Sequence, residues 1–242
     1  METFSRRRLP HWQPDAKVFF VTPRLFGSLT REALERIRTE AGQLRRQPAC
    51  RGESPRERAL REAKRLFGLT DEALAAQLRE SSSGSSRWLG NPELAAMVRE
   101  AIHHRDGKAF GLHRYTVMPN HVHLLIEPLP VEPGGSLPHN GAPLADTKQV
   151  ADLPHYWPLS MILHGLKRHT ARQANRFLGR SGTFWQDESY DHWVRDADEY
   201  HRIIEYIDQN PVRAGLCKHP EDWPWSTTGE RRQVTNLPHR RA

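Results

Sequence analysis

"FGLHRYTVMPNHVHLLIEP" (residues 110–128) is two runs of β-forming residues on either side of Pro119-Asn120. Branched and aromatic residues favour strands, and the Pro-Asn pair favours a turn, so the stretch predicts two antiparallel strands joined tightly. Alternate side chains of a strand share a face. His121 and His123 therefore point the same way, while Val122, Leu124 and Ile126 form an opposite, apolar face suited to packing helices. Two imidazoles side by side on a rigid strand offer a metal two ligands without loop rearrangement. By itself the pair is a weak signal. With 14 histidines in the chain, about one His-x-His pair is expected by chance.

Outward from this hairpin the chain alternates strand and helix signals. Residues 16–25, "AKVFFVTPRL", read as a first strand. Helical spacing follows in residues 30–47, with Thr30 as N-cap. A second helix starts at Ser54-Pro55, with an interruption expected near Gly68. "SSSGSS" (81–86) is a flexible link, and Asn91-Pro92 opens a helix that ends at Asp106-Gly107. Beyond the hairpin, residues 129–157 are Pro/Gly-rich and aperiodic, an excursion expected to be mobile. A basic helix (159–179), an extended segment (182–196) and a helix ending at Pro211 complete the series. The expected class is α+β, with helices on one face of a mainly antiparallel sheet. The corresponding division is a basic segment and first strand (1–29), a helical insertion (30–107), a core (108–228) containing the excursion, and a basic, disordered tail (229–242).

The last helix carries candidate partners for the histidines. Asp196 and Glu199 have the spacing of a capping box. Tyr200, Ile203, Ile204 and Ile207 form its apolar stripe. Tyr206 and Asn210 lie one turn apart on the flank of that stripe, so a phenol and an amide oxygen can reach one metal-bound phosphate. Each also has a plain structural reading: a packing tyrosine, and an asparagine before proline at a helix end.

The 242-residue chain has a formal charge of +7, in which arginine dominates. Arginine's fork fits phosphate oxygens, so charge favours a nucleic-acid partner. Lys167, Arg168, Arg172 and Arg176 lie on the basic helix, and the last three share a face. They are candidate contacts to a DNA backbone, as are Arg7 and Arg8, with Trp12 as a stacking platform for unpaired bases. "DWPWS" (222–226) reads as a plug at the edge of the core. Cys50 and Cys217 make neither a disulfide framework nor a zinc site. No run is apolar enough to span a bilayer, and no apolar stretch follows the charged first residues, so a cytoplasmic location is expected.

Three stretches, "YTVMPNHVHLLIEP", "FWQDESYDHWVRDADEYHRIIEYIDQNPVRAGL" and "DWPWST", resemble REP-associated tyrosine transposases, of the single-tyrosine HUH group. The opening "RRLPHWQPDAKVFFVTPRLFGSLT" is similar to the first strand of that family. The resemblance implies an HUH fold, with a ferredoxin-like antiparallel sheet packed by helices. It implies that His121 and His123 are metal ligands, with Val122 as the bulky middle residue, that Asn210 is a third ligand and that Tyr206 is the nucleophile. It implies a divalent cofactor, Mg²⁺ or Mn²⁺. It also implies a transposase that nicks and rejoins single-stranded hairpin DNA, such as REP palindromes, through a 5′-phosphotyrosine, acting as monomer or homodimer. The long helical region and the excursion after the histidine strand depart from compact members. Two rivals are weighed against this reading. A histidine-triad hydrolase requires a further alternate histidine where Leu125 stands. The other rival is a catalytically inactive hairpin-binding protein derived from such a transposase.

Overall fold

The computed structural model describes residues 3–6, 10–13, 17–80, 85–131 and 156–230. Thr3–Arg6 (β1) and Pro10–Gln13 (β2) form a separate antiparallel hairpin. The main sheet is built on the 110–128 hairpin, where Phe110–Val117 (β4) pairs with Val122–Pro128 (β5). The turn closes with the Met118 amide donating to the His121 carbonyl at 2.9 Å. Phe19–Thr22 (β3) pairs with β5 on one side and with Tyr190–Trp193 (β6) on the other, both antiparallel. The order β4-β5-β3-β6 places the first sheet strand between the third and fourth. Helices connect the first strand to the second and the third to the fourth. This is the ferredoxin-like β-α-β-β-α-β arrangement, and the α+β expectation is borne out.

Helices lie on both faces of the sheet, which corrects the one-face expectation. Val122, Leu124 and Ile126 pack with Phe19 and Val21 against Pro92–His103 (α3) and Leu159–Phe177 (α4). Leu125 and Phe20 point the other way, into a second cluster with Ile207, Tyr200, Ile203, Ile204 and Tyr206 of Ala197–Arg213 (α5). The cause is visible in "LLI": consecutive apolar residues on β5 leave both faces to be covered.

Local capping sets most helix starts where the sequence places them. Thr30 Oγ1 accepts the Ala33 amide at the start of Arg31–Arg46 (α1). Ser54 and Glu57 exchange side-chain–backbone bonds of 3.2 and 2.8 Å at the start of Pro55–Glu80 (α2). Two expected breaks do not occur. α2 runs through Gly68, because Phe67 packs on the second cluster and Leu74 and Leu78 are buried on the same side. That burial outweighs the ~1 kcal/mol helix cost of a glycine. α5 continues past Pro211 to Arg213. It closes when the Gly215 amide (φ +74°) donates to the Val212 carbonyl and the Leu216 amide to the Pro211 carbonyl, both at 2.9 Å. Of the segment 182–196, only β6 is strand.

α1 and α2 form an antiparallel pair, tied by Arg58 to the Arg45 and Gln47 carbonyls and by Arg65 to Glu40. α3, assigned from sequence to the same insertion, belongs instead to the helix layer on the sheet. "DWPWS" seals the free edge of β4, as its plug reading requires: the Val117 amide donates to the Trp225 carbonyl, and Trp223 Nε1 to the Val117 carbonyl. Most of the excursion lies outside the described residues. Its ends meet where the Trp157 amide donates to the Leu129 carbonyl. The tail from 231 onward also lies outside them.

Candidate metal and nucleophile site

The two histidines share the sheet face covered by α5 and α2, and both are fully buried. Their Nε2 atoms are 3.0 Å apart. Asn120 Oδ1 lies 2.6 Å from His121 Nδ1, and the Asn120 amide nitrogen donates to the Leu74 carbonyl at 3.0 Å. That second bond fixes the amide orientation, so His121 Nδ1 must be the donor and its Nε2 carries a lone pair. Thr22 Oγ1 sits 2.9 Å from His123 Nδ1 and can hold that ring in the same tautomer. Both Nε2 lone pairs then converge on one point, which fits a shared cation. Burial holds His121 neutral, with its pKa lowered to about 3. Burial, then His121 and Arg213, push His123 well below its usual value.

Tyr206 comes to this pair from α5. Its ring centre is 5.3 Å from that of His123 and 5.8 and 6.0 Å from those of Phe20 and Phe67, in edge-to-face arrangements. The buried hydroxyl faces the Asp71 carboxylate and the Asn210 amide without closing a hydrogen bond of good geometry to either. Burial, then the neighbouring Asp71 charge, raise the phenol pKa far above 10. Arg213 stands with its guanidinium 5.4 Å from the ring centre. Asn210, one turn on, is buried beside Asp71.

Asp71 lies on α2 and was not among the candidates from sequence. A carboxylate oxygen is 3.7 Å from His123 Nε2, and Asp71, His121 and His123 bring ligand atoms within 4.8 Å of one another. Burial raises the Asp71 pKa. One sequence signal marks it: Phe67, Leu74 and Leu78 form an apolar stripe at helical spacing, and Asp71 occupies a position of that stripe. Asn120 and Thr22 were missed as well; each needs a tertiary partner to acquire its role.

A cleft of about 580 Å³ opens in front of Tyr206, Asp71 and Asn210. Lys64, Arg65, Arg79 and Arg213 rim it, with Lys64 paired to Glu199 and Arg65 to Glu40. A mouth with this charge suits a polyanion.

The basic helix lies elsewhere. α4 packs on the opposite sheet face, and its exposed Arg168, Arg172 and Arg176 are across the sheet from Tyr206. Lys167 points away from them, toward the loop before β6. Its amine donates to the Gln186 and Asp187 carbonyls, both at 2.8 Å, and burial lowers its pKa to about 8. It holds the loop that leads into β6. Arg7 and Arg8 lie outside the described residues, and so does the Trp12 side chain. Among the described residues no helix is long and apolar enough to cross a membrane.

No family model matches the chain. A REP-associated tyrosine transposase of Escherichia coli is 40% identical over 43 residues, 18% of this chain and 26% of that protein. A protein described as a putative REP-associated tyrosine transposase of Haemophilus influenzae is 27% identical over 111 residues, 46% of this chain and 54% of the other. The chain is similar to REP-associated tyrosine transposases. The resemblance read from its motifs is borne out by these two proteins. The matches span about a quarter and about half of the length of those relatives. A solved REP-associated tyrosine transposase bound to a REP hairpin superposes with a TM-score of 0.46 at 17% identity, covering 98% of this chain and 91% of that one.

Proposed function

We propose that this protein is a metal-dependent DNA strand transferase that nicks and rejoins single-stranded, REP-like hairpin DNA, with Tyr206 as nucleophile. The observation that carries the reading is a juxtaposition: a phenol ring 5.3 Å from one of two imidazoles whose Nε2 atoms converge, with Tyr206 lining a cleft that has a cationic rim. His121 and His123 would hold the cation through nitrogen, and Asn210 would contribute an amide oxygen. When bound, a divalent cation, Mg²⁺ or Mn²⁺, supplies Lewis-acid polarisation of a phosphate oxygen.

The residues divide the remaining work. Tyr206 enters as the neutral phenol, since burial and Asp71 hold its proton in place. Its Oη forms the new bond to phosphorus as the P–O3′ bond breaks in line. The phenol proton is transferred to the departing 3′ oxygen, through water or directly. The product is a 5′-phosphotyrosine and a free 3′-hydroxyl. One phosphodiester replaces another, so no nucleotide hydrolysis is required, and the 3′-hydroxyl can reverse the step. Arg79 and Arg213 at the rim guide the strand by contact with its backbone phosphates. The exposed α4 arginines serve a part of the hairpin that wraps past the sheet. The protein works in the cytosol, as monomer or homodimer.

A second reading, hairpin binding without cleavage, is favoured by one observation: the Tyr206 hydroxyl is buried rather than presented to the cleft. The two separate in one experiment. A labelled single-stranded hairpin with flanking sequence is incubated with the full chain and Mn²⁺ or Mg²⁺, then run on a denaturing gel. The transferase reading expects a covalent adduct, lost in Tyr206→Phe and on chelation. Hairpin retention with no adduct under either metal establishes the second reading, and absence of both rejects each.

A further inference from the structure

The nitrogen side of the site is built on one strand, but its oxygen side meets a helix that the motifs do not include. α2 places Asp71 against His123 at 3.7 Å and next to Tyr206 and Asn210. No arginine or lysine among the described residues forms an ion pair with this carboxylate; its ion-pair geometry is to His123, and that imidazole is fully buried. A half-buried carboxylate facing two uncharged imidazoles, offset only by Arg213 beyond ion-pair distance, is an arrangement that a cation completes. Carboxylate oxygen is also the donor that Mg²⁺ and Mn²⁺ prefer, and two imidazoles with only an amide oxygen leave the donor set neutral.

We propose that Asp71 is the anionic ligand of the cation site, so that α2 is a structural part of the catalytic centre. This deepens the strand-transferase reading and rests on its metal site. Asn210, which lies beside Asp71, then orients the carboxylate as well as offering its own oxygen. The site carries one negative charge against the two of the cation. With a divalent cation bound, the site would keep a net positive charge for a phosphate. Because the ligand sits on a helix packed from outside the sheet, a bound cation would tie α2 to β5, linking metal binding to the docking of α2.

The test measures metal, not DNA cleavage. Mn²⁺ is titrated into the chelator-stripped full chain and its free signal followed by electron paramagnetic resonance, for wild type, Asp71→Asn, Asn210→Ala and His123→Ala. Asp71→Asn is expected to weaken Mn²⁺ binding at least thirtyfold, His123→Ala to abolish it and Asn210→Ala to weaken it less than Asp71→Asn. Hydrogen exchange of the unaltered protein gives a readout that needs no variant: amides around residues 68–75 should gain protection when Mn²⁺ is added. Mn²⁺ affinity of Asp71→Asn within threefold of wild type, or no added protection of α2, overturns the proposal. If His123→Ala loses Mn²⁺ and Asp71→Asn does not, Asp71 alone is rejected and the tyrosine chemistry stands. If Mn²⁺ binding depends on Asp71 and no hairpin adduct forms, the chemistry alone is rejected.

Discussion

Replacing Glu199 by glutamine removes a negative charge from between cations that belong to different elements. The carboxylate accepts from Lys64 Nζ of α2 at 2.8 Å, from Arg195 Nη2 and Nε at 2.9 and 3.0 Å, and from the Arg195 amide at 3.1 Å. His192 Nε2 of β6 lies 3.1 Å away. The glutamate side chain is only 6% exposed, whereas Lys64 and Arg195 remain 44% and 38% exposed. Breaking a buried pair costs about 3–5 kcal/mol. Water at the two cations screens part of that, leaving about 2–3 kcal/mol for Glu199→Gln. For a chain of this size that is a fall in Tm of about 4–12 °C.

The same network fixes the pH dependence. Burial opposes the charge of Glu199, but the bonds from Arg195 and Lys64 outweigh it and hold its acidity far below the usual carboxylate range. The folded pKa is depressed, so the contribution is complete above the unfolded value near ~4.3 and disappears as pH falls below it. In that region the unfolded chain takes up a proton that the native state refuses, at a loss of ~1.4 kcal/mol per pH unit. Thermal melts of wild type and Glu199→Gln, followed by circular dichroism, should therefore show a constant gap between pH 5.5 and 8 that narrows below about 4.3. Equal Tm values at pH 7, or a gap unchanged down to pH 3.5, would refute the reasoning.

Other perturbations test the frame around the site. Thr170→Val strips the acceptor from the buried Trp185 indole N–H, now bonded at 2.8 Å, and should cost about 1–3 kcal/mol in urea unfolding; adding Trp185→Phe should recover part of it. A Cβ at Gly229 would run into the Trp223 carbonyl and meet the Pro224 Cα at 3.1 Å. Gly229→Ala should therefore lower stability by about 1–3 kcal/mol, and an unchanged melt would mean that the "DWPWS" edge is packed differently. If hairpin DNA reaches α4, Arg172→Gln with Arg176→Gln should flatten the log affinity–log salt plot by about 0.7 for each phosphate that is no longer neutralised, and an unchanged slope removes this helix from the interface.

Legibility in the sequence followed the range of the interaction. Thr30, Ser54 and Asn91 cap the helices that they precede, because a cap is decided within three residues. The shared direction of His121 and His123 follows from strand alternation alone. The continuity of α2 through Gly68 was not readable, because Phe67 and Leu74 acquire their partners from strands and turns more than 40 residues away in the chain. The inward turn of Lys167 depends in the same way on carbonyls of a loop that its spacing on α4 does not reveal. A face of three arginines is visible at four-residue spacing; which side of the sheet it occupies is not.

Asp71 shows the limit most clearly. On α2 it is an acid in an apolar stripe, unfavourable by any local measure, and local reasoning assigns it no purpose. Three long-range ties give it one. Lys64 anchors the helix to Glu199 at the start of α5, Leu74 receives the amide of Asn120 beside His121, and Phe67 stacks on Tyr190 with ring centres 4.2 Å apart. These ties bracket Asp71 on both sides along the helix, so its position against His123 is determined by the docking of α2 rather than by its own contacts. The same ties place the backbone of α2 where the neighbouring strand supplies only nitrogen donors. A strand can align two imidazoles through its pleat, but its alternation offers no third side chain at the same point. The remaining donors must come from elements packed on that face, and only α5 and α2 among the described residues reach it.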